Sequence, residues 1–61
     1  MNIELAKQIL QAHGLKAERE LLISLNHALF LIQLDGLEKW QAYSTYNITF
    51  KNVIEEIYNS K

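Results

Sequence analysis

Two kinds of side chain in this sequence could do chemistry: the histidines His13 and His27, as metal ligands or bases, and the adjacent carboxylates Glu55 and Glu56. The histidines fall in different predicted helices, and no cysteine or His-x-x-x-His spacing supports a metal site around either of them. Neighbouring residues on a helix point about 100° apart, so the two carboxylates do not flank one substrate. We therefore expect no metal and no cofactor, and we expect both carboxylates to face solvent.

The sequence also carries no pattern for nucleophilic catalysis or phosphate binding. It contains no Gly-x-Gly-x-x-Gly, P-loop or Gly-x-Ser-x-Gly motif, and Ser24, Ser44 and Ser60 have no acid-base partner nearby in sequence. A chain of 61 residues leaves little room for an enclosed pocket of about 300 Å³ or more, the usual size of a small-molecule site. The sequence therefore predicts a protein that is not an enzyme.

The elements that must position these side chains are organised around the stretch Leu21 to Leu34, in which ten of fourteen residues are apolar and none is charged. Wound as an α-helix, this stretch has apolar residues on two opposite sides. The broad face consists of Leu21, Leu22, Leu25, Ala28, Leu29 and Ile32. The opposite side carries the i, i+4, i+7, i+11 set that we call the narrow row: Ile23, His27, Phe30 and Leu34. Such a helix needs partners on two sides.

Hydrophobic periodicity predicts four helices in an all-α domain. Their predicted ranges are Asn2 to His13, Ala17 to Leu34, Leu37 to Ser44 and Thr49 to Asn59. The first is amphipathic, and its apolar face carries Ile3, Ala6, Ile9, Leu10 and His13. The last should cover the broad face of the second.

Several residues signal where these helices begin and end. Asn2, Asp35 and Thr49 are the predicted N-caps, with Glu38 completing a capping box after Asp35, and Ile48 is expected to pack on Val53 as a hydrophobic staple. Gly14 is expected just past the first helix in a left-handed conformation, with Leu15 packing back on Leu10.

The segment from Asp35 to Phe50 has competing interpretations. Asp-Gly between apolar runs is also a hairpin signal, but a hairpin would place Ile32 opposite Lys39, so neither sheet face would be consistently apolar. From Tyr43 to Phe50, aromatic and β-branched residues predict an extended segment. We interpret this segment as a loop, and strand pairing between two chains is the alternative.

Length and composition predict one small three- to four-helix domain built around one long central helix. The 61 residues are 49% hydrophobic and include no cysteine, close to the size at which a single core is only marginally stable. A dimer would cover the narrow row.

The sequence lacks a signal-peptide pattern, and its longest uncharged run is shorter than the roughly 20 residues of a membrane helix, so we expect a cytoplasmic protein without membrane contact. Frequent residues with A/T-rich codons favour a bacterial, phage or plasmid origin.

These features predict a homodimeric interaction module, a regulator or antagonist that acts by binding another protein. The candidate interface residues are Ile23, His27, Phe30, Leu34, Trp40 and Tyr43. His27 is either a partly buried histidine with one hydrogen bond or a polar residue that sets the register of a helix contact. Trp40 and Tyr43, with Tyr46, form an aromatic cluster that either completes the core or contacts a partner.

The sequence is less typical of two other functions. A helix-turn-helix DNA-binding regulator is the main alternative, because Gly14 offers a short turn between helices. After Glu20, however, the following helix is nearly all apolar and has few side chains free to contact bases. With a net charge of −1 and a pI near 6.0, the sequence also has no excess of basic residues to form the positive surface that nucleic-acid binding needs. A membrane-associated peptide is opposed by the balanced charge and missing basic face.

Overall fold

The four helices that the hydrophobic periodicity predicts are present in the computed structural model, which describes residues 3–60. The helices are α1 (Ile3–Ala12), α2 (Arg19–Asp35), α3 (Leu37–Tyr43) and α4 (Ile48–Asn59), and residues 3–60 contain no strand. The all-α class is therefore confirmed, and the hairpin at Asp35-Gly36 does not form. The predicted cap Asn2 lies outside the described residues.

The end of α1 follows the predicted glycine motif. Gly14 has a positive φ of 73° and donates its N–H to the carbonyl of Gln11 at 3.0 Å. The N–H of Leu15 reaches back to the carbonyl of Leu10 at 2.9 Å, and its side chain packs against the core. This pair of hydrogen bonds is the Schellman motif, which satisfies carbonyls that the helix itself leaves free.

The first turn of α2 begins at Arg19, later than the predicted start at Ala17. Glu18 is the N-cap, with extended backbone angles of −79° and 155°, and its side chain makes no capping hydrogen bond. Its N–H is donated to the carbonyl of Lys16 at 2.9 Å, so the chain turns once before the helix starts. The apolar pattern predicted the body of α2 correctly, but no capping side chain marks its start.

The junction between α2 and α3 differs from the predicted capping box. Asp35 is the last residue of α2 rather than an N-cap, and Gly36, with φ of 96° and ψ of 150°, ends one helix and begins the next. Its N–H is donated to the carbonyl of Ile32 at 2.7 Å, and its own carbonyl accepts from the N–H of Trp40 at 3.1 Å. With a single residue between the helices, Asp35 is still held by α2 and cannot cap α3.

The segment before α4 is shorter than the predicted extended stretch. Only residues 44–47 lie outside the helices, because α3 ends at Tyr43 and α4 begins at Ile48. The N-cap is Asn47, whose Oδ1 accepts the N–H of Phe50 at 2.8 Å, so the predicted cap Thr49 was wrong by two positions. Ile48 is 70% exposed, which rules out the predicted staple onto the buried Val53.

The core is assembled from one face of every helix. α4 contacts both α1 and α2, and α3 packs on α2. All six residues of the broad face are buried or half-buried, as predicted. The buried set is Ala6, Ile9, Leu10, Leu25, Ala28, Leu29, Ile32, Trp40, Phe50, Val53, Ile54 and Ile57. The radius of gyration, 10.6 Å, is near the roughly 10.5 Å of a compact chain of this length.

Within residues 3–60, no single helix has the length and apolar character needed to cross a membrane. α2 and α3 meet that length only when taken together, and the chain bends by 119° between them.

Candidate interaction surface

The narrow row lies on the outer surface of α2. Its apolar members Ile23, Phe30 and Leu34 are 58%, 57% and 67% exposed, and His27 between them is exposed as well. The opposite side of the same helix supplies Leu25, Ala28, Leu29 and Ile32 to the core. α3 leaves the row uncovered, because the chain bends sharply at Gly36 and α3 packs on another side of α2.

The surroundings of the narrow row carry no charge along most of its length. From Ile23 to Leu34 the chain contains no ionisable group other than His27, and the exposed amides Asn26 and Gln33 form one border. The His27 side chain makes no hydrogen bond with another part of residues 3–60, which differs from the partly buried, singly bonded histidine considered above. The row is thus an uncharged apolar strip with one free imidazole.

Ile3 extends this strip at the amino-terminal end of α2. It is 52% exposed, although the sequence placed it on the buried face of the first helix. Together with Arg19, Leu22, Ile23 and Asn26 it lines a shallow cleft that is open to solvent. The periodicity of α1 could not predict the exposure of Ile3. It shows on which face of the helix a residue lies, but not whether a neighbouring helix extends far enough to cover that residue.

Tyr43 lies near the other end of the strip. Its hydroxyl donates a 2.8 Å hydrogen bond to Oδ2 of Asp35, the residue after Leu34, and its side chain is 47% exposed. This hydrogen bond, with some loss of hydration and the negative charge of Asp35, raises the pKa of Tyr43 above its ordinary value of 10.0. Tyr43 is therefore held as a neutral phenol beside the carboxyl end of α2.

Trp40 does not belong to the surface. It is 1% exposed, and its ring lies 6.2 Å from that of Tyr46, which in turn lies 4.3 Å from Phe50. The aromatic cluster predicted from sequence therefore divides: Trp40 completes the core, Tyr46 covers it, and Tyr43 remains on the outside. Trp40 is accordingly removed from the candidate interface as a correction, because a buried ring presents nothing to a partner.

The chemically versatile side chains lie apart from one another, and Glu55 is half-buried, contrary to the prediction that both carboxylates face solvent. His13 Nε2 and Glu56 Oε2 lie 3.0 Å apart and join α1 to α4 in an exposed pair, and Glu55 Oε2 accepts from Gln41 Nε2 at 3.3 Å. In the part of the chain that the structure describes, no three His, Asp or Glu side chains converge as metal ligands. These contacts tie α1 to α4 and α3 to α4.

Comparisons with protein-family models, curated proteins and solved structures find no match to this chain.

Proposed function

We propose that this protein is a non-enzymatic protein–protein interaction module. In this proposal it forms a homodimer through the narrow row and acts as a regulator or antagonist by binding another protein. The observation that carries the proposal is the exposure of Ile23, Phe30 and Leu34, each more than half accessible, on a helix whose opposite face is buried. Contiguous apolar surface on a small domain usually marks an interface.

The size of the row sets the strength of the proposed contact. Complete burial of a Leu, Ile or Phe side chain contributes about 1.5–3 kcal/mol, so the exposed parts of six such side chains in two copies contribute on the order of 5–10 kcal/mol. Association costs roughly 4–15 kcal/mol in lost translational and rotational freedom. The row alone therefore supports a weak, concentration-dependent dimer, and Ile3 and Tyr43 at its ends add to the contact.

This proposal assigns α2 the role of central helix. Its broad face serves the core of its own chain and its narrow row serves the dimer, so one helix is covered on two sides by two different partners. The same surface also suits regulation. A weak dimer leaves the row available to another protein whose apolar helix competes with the second copy.

The test is the double substitution Phe30→Asp with Leu34→Lys, measured by sedimentation equilibrium up to millimolar concentration. Both side chains are exposed, so the variant should keep its helical dichroism and become monomeric. Ile48→Asp is the matched control, since Ile48 is 70% exposed but belongs to α4 and not to the row on α2. A double variant that stays dimeric, or a wild-type chain that is monomeric throughout, contradicts the homodimer.

A further inference from the structure

We propose that the two copies of α2 pair in antiparallel orientation about a two-fold axis level with the middle of the narrow row. Ile23 of one copy then packs against Leu34 of the second copy, and His27 packs against Phe30 of the second copy. This inference rests on the proposed homodimer and adds its orientation, its register and the residues that the second copy contributes.

The spacing of the row permits this pairing. Its members follow one another at intervals of four, three and four residues, an order that is the same when read in reverse. In an antiparallel pair centred between Ala28 and Leu29, every member of the row therefore meets another member and none is left beside a gap. In a coiled-coil description the row occupies alternating a and d positions over two heptads.

The cleft beside Ile23 distinguishes antiparallel from parallel pairing. An antiparallel copy brings its Leu34, the most exposed apolar member of the row at 67%, to Ile23 and so to the cleft that Ile3 lines. A parallel copy would bring its own Ile23 instead. Glu20 and Ser24 lie on the side of the row opposite Asn26 and Gln33. The two-fold axis of a parallel pair would turn that side of the second copy toward Ile3. Both arrangements cover exposed Ile3 with an apolar side chain, but only the antiparallel one keeps the carboxylate of Glu20 away from it.

The position of His27 also favours antiparallel pairing. In a parallel pair, each imidazole would face its own copy in the middle of the interface, and two polar rings would lose water together. In the antiparallel pair, each imidazole lies against the phenyl ring of Phe30 from the second copy, and the two histidines are separated. Because the segment between Ile23 and Leu34 carries no charged residue, the row can meet its copy in either orientation without repulsion. The matching of side chains therefore decides the orientation.

The first experiment compares two double variants by sedimentation equilibrium. In Ile23→Lys with Leu34→Glu, an antiparallel pair joins opposite charges at both ends of the row, whereas a parallel pair opposes like charges. In the control, Ile23→Lys with Leu34→Lys, both orientations oppose like charges. We expect the first variant to dimerise roughly tenfold or more tightly than the control, because like-charge contacts across an interface are costly. Equal dissociation constants in variants that both dimerise overturn the antiparallel arrangement, and if neither variant dimerises up to millimolar concentration, the labelled chains described next decide the orientation.

The second experiment leaves the row intact and measures its direction with spin labels. The chain has no cysteine, so Glu20→Cys and Gln33→Cys each provide a single labelling site at an exposed position. With a rise of 1.5 Å per residue, antiparallel pairing separates the two labels by about 25 Å along the helix at position 20 and about 14 Å at position 33. Parallel pairing gives similar, short separations at both positions. That result overturns the orientation and leaves the homodimer standing, whereas no inter-label coupling at millimolar concentration overturns both.

Discussion

The hydroxyl of Tyr43 donates a 2.8 Å hydrogen bond to Oδ2 of Asp35, which joins the last residue of α3 to the last residue of α2. Between them the chain reverses at Gly36 and bends by 119°. The hydrogen bond therefore closes the reversal from outside, while Trp40 holds the same two helices together from the core. It also fixes the phenol of Tyr43 at the end of the narrow row.

This hydrogen bond predicts a shifted titration of Tyr43. Asp35 raises the pKa of Tyr43, since the neutral phenol donates the hydrogen bond and the ionised one would lie beside a carboxylate. Any stability that the raised pKa gives is present below the ordinary pKa and is lost as pH rises through the folded value. In Asp35→Asn, the Tyr43 ring resonances should titrate at lower pH than in the wild type. Unchanged titration would mean that this hydrogen bond does not form in solution.

The two glycines with positive φ should respond differently to substitution. Added Cβ atoms meet nothing within 4 Å at Gly14 or Gly36, so only backbone strain matters. Gly14 occupies the left-handed position of a Schellman motif, where Ala costs about 1 kcal/mol. Gly36, at φ 96° and ψ 150°, lies in a region that side chains rarely enter, and Ala there should cost about 1–3 kcal/mol.

Asparagine sharpens this comparison because it tolerates the left-handed region better than other residues. Gly14→Asn should therefore unfold at nearly the wild-type urea concentration, whereas Gly36→Asn should unfold earlier, at least as early as Gly36→Ala. Equal midpoints for the two asparagine variants would show that α2 and α3 can meet through a different backbone conformation.

The central turns of the helices were predictable because burying one face of a helix requires apolar residues at regular spacing, and the sequence repeats that spacing several times. The broad face of α2 illustrates this, since all six of its predicted residues are buried or half-buried. Helix ends depend on one or two residues and were predicted less well. Asp35 has the correct spacing to Glu38 for a capping box, but α2 continues through it. A short polar side chain fits several local conformations, and packing selects among them.

The cap of α4 can be tested with neighbouring residues of similar chemistry. Asn47 Oδ1 accepts the N–H of Phe50, so Asn47→Ala should reduce the free energy of unfolding by about 0.5–2 kcal/mol. Thr49 lies inside the helix and is exposed, so Thr49→Ala should change it by less than about 0.5 kcal/mol. Urea denaturation followed by dichroism measures both. A larger loss at Thr49 would restore the cap that the sequence predicted.

The candidate surface was predictable only in part. The narrow row follows from the angular positions of Ile23, Phe30 and Leu34 on one helix, and all three are exposed as expected. The positions of Ile3 and Trp40 depend on how different helices pack. The first turn of α1 leaves Ile3 half exposed, whereas Trp40 is enclosed by the core. Periodicity assigns a face to each helix, but it does not give the distance or angle between two helices.

The final prediction separates the core from the narrow row. Leu25 and Ile54 are both 0% exposed, so replacing either by Ala should cost about 2–5 kcal/mol. At the usual 0.05–0.15 kcal/mol per residue, the whole domain has only about 3–9 kcal/mol, so these variants should be largely unfolded or close to it. A loss below half a kcal/mol at both sites would show that the broad face is not the core.

Phe30→Ala is the matched change on the narrow row, where the side chain is 57% exposed. In dilute solution it should keep nearly the wild-type melting temperature, because no core contact is removed. Dimerisation stabilises the folded chain by mass action, so the wild-type melting temperature should rise with protein concentration, and Phe30→Ala should abolish most of that rise. Melting curves from micromolar to millimolar concentration measure both effects. If Phe30→Ala instead lowers the melting temperature equally at every concentration, Phe30 stabilises its own chain and is not part of a dimer interface.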